Sequence, residues 1–142
     1  MLRWKKGQNV LFLIHLKGVH NMNVNESAEN YLETILMLSK KLPVVRSVDV
    51  ANELGFKKSS VSIAMKNLRE KKYIDVDDNG YITLTDAGLK QAEIVLEKHT
   101  ILSNWLIGLG VNPETALEDA CRMEHDISEE SFLAIKNHIN AN

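Results

Sequence analysis

Cys121, Glu124 and His125 stand at positions i, i+3 and i+4 in the last part of the chain. On a helix that spacing projects a thiol, a carboxylate and an imidazole from one face. Converging there, the three suit a divalent transition metal. Other helices can bring His99, and from near the start of the chain Glu33, to the same pocket. Taken alone, a cysteine on an apolar helical face also fits a core position. Cys121 and His125 have the types of a nucleophile and its base. No oxyanion-hole loop, Gly-rich phosphate cradle or third orienting motif accompanies them, so an enzyme is not expected.

A second group, Lys57, Lys58, Ser59, Ser60 and Ser62, stands at the start of a predicted helix along which Ile63, Lys66 and Arg69 follow. A helix fits the major groove of duplex DNA, and flanking cations and hydroxyls hold phosphates. Small hydroxyls at the helix start permit close approach and donate to phosphate beside the free backbone amides. Ser59, Ser62 and Ile63 are the positions expected to face base edges. The alternative is a solvated basic helix in a protein-binding winged helix.

The elements that must position these groups follow from periodicity. Tyr31, Leu32, Ile35, Leu36 and Leu38 recur at helical spacing in a helix running from Asn25 or Ser27 to Lys41, closed by Pro43. Ser47 can cap a short helix through Leu54, Gly55 breaks it, and Ser59 or Ser60 can cap another reaching about Lys72. Residues 73–84 switch to strand spacing around Asp77-Asp78-Asn79-Gly80, a hairpin wing whose Asn-Gly supplies positive φ. Helical spacing returns from Thr85 to Gly110. A further helix runs from Pro113 or Thr115 to about Asp126, and another from Ser128 to Ile139. Trp105 and Phe132 read as core or dimer-interface residues. The fold class expected is mainly α with a small β-hairpin wing: an N-terminal winged helix-turn-helix over 22–85, then an all-α metal-binding and dimerisation domain over 86–142.

Composition bounds the reading. With 142 residues, 44% apolar and 25% charged, the chain is long enough for one domain or two small ones, and disorder is not expected. The single cysteine excludes an internal disulfide and fits a reducing cytoplasm. The net charge of -2 argues at first against a nucleic-acid partner. Resolved along the chain it is segregated. Seven basic and three acidic residues between Arg46 and Lys72 give +4, whereas one basic and seven acidic residues between Glu114 and Glu130 give -6. Residues 1–21 carry four basic residues, no acid and an apolar run from Val10 to Leu16. That run is too short for a membrane span of roughly 20 residues, and no small-residue cleavage site follows. Lys17-Gly18-Val19 can be encoded by a purine-rich ribosome-binding sequence, so residues 1–21 are expected to be a non-native or poorly ordered extension, with Met22 as the natural start.

The stretch from Ser27-Ala28-Glu29-Asn30-Tyr31-Leu32-Glu33-Thr34-Ile35 to the end resembles the diphtheria toxin repressor and manganese transport regulator family of metal-dependent repressors, in its short two-domain form. The most specific piece is Glu118-Asp119-Ala120-Cys121-Arg122-Met123-Glu124-His125, similar to the family's ligand-bearing helix. Glu97-Lys98-His99 matches its histidine motif. The resemblance implies His99, Cys121, Glu124 and His125 as metal ligands and Glu33 as a carboxylate ligand. Asn30 stands where the family has Met or Asp and offers only a neutral amide oxygen. Ser103 and Leu117 replace the Glu and His of the iron-responsive branch's second site, so that site is not expected.

The implied function is a metal-gated repressor. Metal ties the N-terminal helix to the dimerisation helices and sets the spacing of two reading helices in a homodimer on double-stranded operator DNA, expected to be palindromic. Thiolate at Cys121 favours Fe(II) among the available metals, the carboxylates keep Mn(II) open, and Co, Ni or Zn are expected to substitute in vitro. No membrane and no small-molecule substrate are expected. The competing reading is a winged-helix regulator that answers to an organic ligand or acts constitutively.

Overall fold

A computed structural model describes residues 24–141; the expected N-terminal extension lies outside the described residues. These residues form two compact units, 24–95 and 96–141. The elements in order are α1 (Val24–Ser39), α2 (Ser47–Leu54), α3 (Lys58–Glu70), β1 (Ile74–Val76), β2 (Ile82–Leu84), α4 (Asp86–Gly108), α5 (Pro113–Asp126) and α6 (Glu129–Ala141). The division between the units falls within α4. The expected fold class holds.

In the first unit the apolar positions anticipated on α1, Tyr31, Leu32, Ile35, Leu36 and Leu38, are all buried. Tyr31 meets Phe56 edge to face, with ring centroids 6.1 Å apart. Val50, Ala51 and Leu54 of α2 are buried, as are Val61, Met65 and Leu68 of α3. The latter three, at i, i+4 and i+7, form the inward stripe of α3. Each such side chain contributes about 1.5–3 kcal/mol of burial free energy.

The turn between α2 and α3 depends on Gly55. Its φ of 67° lets the Ala51 carbonyl accept from the N–H groups of both Gly55 and Phe56. The caps differ from the sequence reading. Arg46, not Ser47, precedes α2, and its backbone N–H donates to the Asp49 carboxylate at 2.9 Å. Lys57 precedes α3, which leaves Ser59 and Ser60 inside its first turn. The Arg46 carbonyl accepts from the N–H groups of Asp49 and Val50, at 3.0 and 3.3 Å, which starts α2 one residue before a Ser47 cap would.

α3 ends in a Schellman motif. Lys72 N–H donates to the Arg69 carbonyl and Tyr73 N–H to the Leu68 carbonyl, both at 3.0 Å. The left-handed residue this motif requires is Lys72, with φ 63°.

β1 and β2 pair antiparallel in the register Ile74–Leu84, Asp75–Thr83 and Val76–Ile82. Gly80 alone in their turn has positive φ, 78°. The Asp77 carboxylate accepts from the N–H groups of Asn79 and Tyr81, each at 2.9 Å, which fixes the loop. Val45 adds an isolated bridge to Ile82, whose N–H donates to the Val45 carbonyl at 2.7 Å. Arg46 stacks on the Tyr81 ring, 4.8 Å from its centroid, and donates to the Tyr81 hydroxyl at 3.1 Å. The start of α2 therefore clasps the wing.

Thr85 joins the wing to α4. Its hydroxyl donates to the Lys72 carbonyl at 2.7 Å and accepts from Gly88 N–H at 3.1 Å, and its own N–H donates to the Tyr73 carbonyl at 3.1 Å. Gly88 has no side chain because there is no room for one: a Cβ there would lie 1.9 Å from the Tyr73 carbonyl oxygen.

The second unit is helical. Leu102, Ala120 and Phe132 form its buried centre, with Ile101, Trp105, Met123, Ile127 and Ile135 packed against them. Asn112 caps α5 by accepting from Glu114 N–H at 3.0 Å, and Pro113 occupies the first turn. Ser128 caps α6 through the Ser131 N–H at 3.1 Å. No helix among the described residues is long and apolar enough to cross a membrane.

Candidate metal centre and nucleic-acid interface

The i, i+3, i+4 spacing on α5 produces the expected convergence. One donor atom from each of Cys121, Glu124 and His125 lies within 4.8 Å of the others. α4 adds His99, whose Nδ1 is 3.1 Å from one Glu124 oxygen; the other Glu124 oxygen is 3.4 Å from His125 Nε2. His99 and Glu124 are buried, and Cys121 is half-buried. A carboxylate bracketed by two imidazoles with a thiol beside them is a costly set of groups to take out of water.

The donor chemistry fits a divalent cation. Sulfur, nitrogen and oxygen donors converge from two helices of the same unit, and a positive centre there would offset the desolvation of the carboxylate. The backbone beneath His99 is held locally: the Ser103 hydroxyl donates to its carbonyl at 2.7 Å. Ser103, which the resemblance aligns with a lost second site, is thus occupied within its own helix.

Asn30 and Glu33 lie three residues apart on α1 and are both buried, with Glu33 only 1% exposed. Thr34 between neighbouring turns donates its hydroxyl to the Asn30 carbonyl at 2.8 Å. Glu33 and Asn30 are a carboxylate and an amide among the otherwise largely apolar buried positions of α1.

The basic group is exposed as anticipated. Lys57, Lys58, Ser59, Ser60, Ser62, Ile63, Lys66 and Arg69 are all on the solvent side of α3, away from the Val61–Met65–Leu68 stripe. The outward face of α3, with Lys57 just before it, therefore carries four cations, three hydroxyls and one isoleucine. Asp75, Asp77 and Asp78 give the wing strands and their turn an acidic character without a basic residue. Periodicity missed the Arg46–Tyr81 clasp and the Tyr73–Gly88 approach, since both join positions far apart in the chain.

The chain is similar to known proteins over nearly all of its described residues. A family model described as the iron dependent repressor N-terminal DNA binding domain matches residues 23–81. A second, the iron dependent repressor metal binding and dimerisation domain, matches residues 85–141. An uncharacterized HTH-type transcriptional regulator from Methanocaldococcus jannaschii is 32% identical over 115 residues, covering 80% of this chain and 92% of the relative. The transcriptional regulator MntR of Escherichia coli O157:H7 is 34% identical over 125 residues, 86% of this chain and 81% of the relative. Among solved structures, a manganese-dependent transcriptional repressor in complex with manganese superposes with a TM-score of 0.72 at 25% identity. The match covers 80% of this chain and 52% of that one, so this chain spans about half its length. IdeR of T. acidophilum shares the fold with a TM-score of 0.70 at 23% identity, over 86% of this chain and 56% of that one.

Proposed function

The chain belongs to the iron-dependent repressor family of metal-dependent transcriptional regulators, and from that premise we propose a homodimeric repressor whose hold on operator DNA is set by Fe(II) or Mn(II). The observation that carries this reading is the convergence of buried His99 and Glu124 with half-buried Cys121 and His125 within the matched metal-binding and dimerisation region. The names of the relatives support both metals: manganese through the manganese-dependent repressor, iron through the family description.

In this reading residues 22–85 are the DNA-reading domain and 86–142 the metal-binding and dimerisation domain. A bound divalent cation supplies a fixed positive centre in the helical unit. His99 donates from α4, and Cys121, Glu124 and His125 donate from α5. Glu33 of α1 is assigned as a further ligand, and Asn30 as a neutral oxygen donor, on residue type and burial. The Cys121 thiolate tilts the preference toward Fe(II), while Glu33 and Glu124 preserve affinity for Mn(II).

Lys57, Lys58, Lys66 and Arg69 hold phosphates, with Ser59, Ser60 and Ser62 close to the backbone and base edges. A twofold dimer presents two such helices, so the operator is a palindrome with half-sites about one helical turn apart or a multiple of it. The protein acts in the cytoplasm, where its DNA is, and performs no catalysis. Metal and operator are linked by a coupling of about 1–3 kcal/mol, which raises DNA affinity about 5- to 150-fold.

Operator selection with the full chain under Mn(II), under anaerobic Fe(II) and under chelator tests the reading. A recovered palindrome bound more tightly with metal is the expected result. Equal affinity in excess chelator would overturn the metal gate, and no selected sequence would overturn the function itself.

A further inference from the structure

Ile63 is 64% exposed in the middle of α3. It lies two residues after buried Val61 and two before buried Met65, and so points away from the core that those side chains enter. An isoleucine in that position does little for folding. It buries little apolar surface, and its branched side chain is a poorer helix former than the lysines around it. The small or cationic side chains of Ser59 and Ser60, one turn before it, and Lys66, one turn after, share its face.

The charge of this surface selects its partner. Lys57, Lys58, Lys66 and Arg69 are exposed before and along the same helix, a polyanion-binding surface with one exposed apolar point at its middle. Solvated phosphate offers nothing to an isoleucine, which neither donates nor accepts a hydrogen bond. The major groove presents one apolar group, the thymine C5-methyl. Cytosine presents an amino donor at the neighbouring position, and the purines present N7 and O6 or N6, all of which would be desolvated without a partner against Ile63. The serines beside it are short enough to let the helix axis approach the groove.

We infer that Ile63 reads a thymine methyl, so each operator half-site carries an obligatory thymine selected by apolar contact and not by hydrogen bonding. This rests on the reading of the chain as an operator-binding regulator and adds the mode by which one base is chosen.

Deoxyuridine provides the test, since it keeps every hydrogen-bonding group of thymine and lacks only the methyl. The operator selected by the full chain under Mn(II) is resynthesised with deoxyuridine at each selected thymine in turn, and binding is measured at fixed salt. At one symmetry-related pair of positions we expect about a fourfold loss for one half-site and about fifteenfold for both, the value of one buried methyl each. Ile63→Ala should bind thymine and deoxyuridine operators equally at that position while keeping the penalties at others. Ile63→Gln should change the base selected there and nowhere else. Both substitutions are on the exposed face, and unchanged thermal midpoints would show that they fold.

Undiminished binding to every deoxyuridine operator would overturn the inference, as would a deoxyuridine penalty that persists in Ile63→Ala. Metal-dependent selection of an operator together with either result would leave the proposed function standing. Failure to select any sequence would remove both.

Discussion

The Glu124 carboxylate, on α5, lies 3.1 Å from the Nδ1 of His99, on α4, and both side chains are buried. Two helices that approach over the apolar centre of Leu102, Ala120 and Phe132 thus also share a polar contact. Its position beside Cys121 and His125 makes Glu124 the residue on which the cluster converges. Glu124→Gln keeps the shape and removes the negative charge. Mn(II) affinity of the full chain, measured by titration calorimetry, is expected to fall by at least the roughly 10- to 100-fold that loss of a residue merely supporting a ligand costs. Unchanged affinity would take Glu124 out of the site.

Cys121 separates the two metals. Replacing a soft thiolate by a hard carboxylate favours the harder ion, so Cys121→Asp should weaken Fe(II) binding relative to Mn(II). Competition titrations under anaerobic conditions report the ratio directly; a ratio equal to that of the unaltered protein would place Cys121 outside the donor set.

On the DNA-facing side, Lys66→Ala and Arg69→Ala each remove one exposed cation from α3. Each should lower affinity for all sequences alike and reduce the slope of log affinity against log salt by about 1. Fluorescence anisotropy over a range of salt concentrations measures both quantities. An unchanged slope would show that the residue holds no phosphate.

Gly88→Ala puts a methyl group 1.9 Å from the Tyr73 carbonyl oxygen and 2.9 Å from its carbon, both backbone atoms. Relief requires the wing or the start of α4 to shift, at a cost of about 1–3 kcal/mol. Gly108→Ala meets nothing within 4 Å and should be neutral or stabilising by up to about 1 kcal/mol. Chemical denaturation of the two variants side by side distinguishes a local clash from a general intolerance of alanine.

Periodicity carried most of the fold because the helices are amphipathic. The α1 stripe and the α5 ligand spacing need only the 3.6-residue repeat to be read. Cap positions shifted because residue type alone does not set where the first turn closes. Arg46 and Asp49 bond reciprocally, Asp49 N–H to the Arg46 carbonyl and Arg46 N–H to the Asp49 carboxylate, which starts α2 one residue before a Ser47 cap would. The isolated bridge from Val45 to Ile82 has no periodic signature in the sequence. His99 and Glu124 could be nominated by type, but their 3.1 Å approach depends on how α4 packs on α5. A left-handed lysine at position 72 was invisible for a related reason: the Schellman hydrogen bonds impose it against the residue's own preference.

Where the Tyr73 carbonyl meets Gly88 there is no slack. Thr85 bonds to both sides of that joint, to the Lys72 carbonyl and to the Gly88 amide. In mechanical terms the first turn of α4 is keyed to the hairpin like a shaft to a hub. A twist of that turn about its axis is delivered to β1 and the end of α3 without backlash, and the bending has to occur elsewhere.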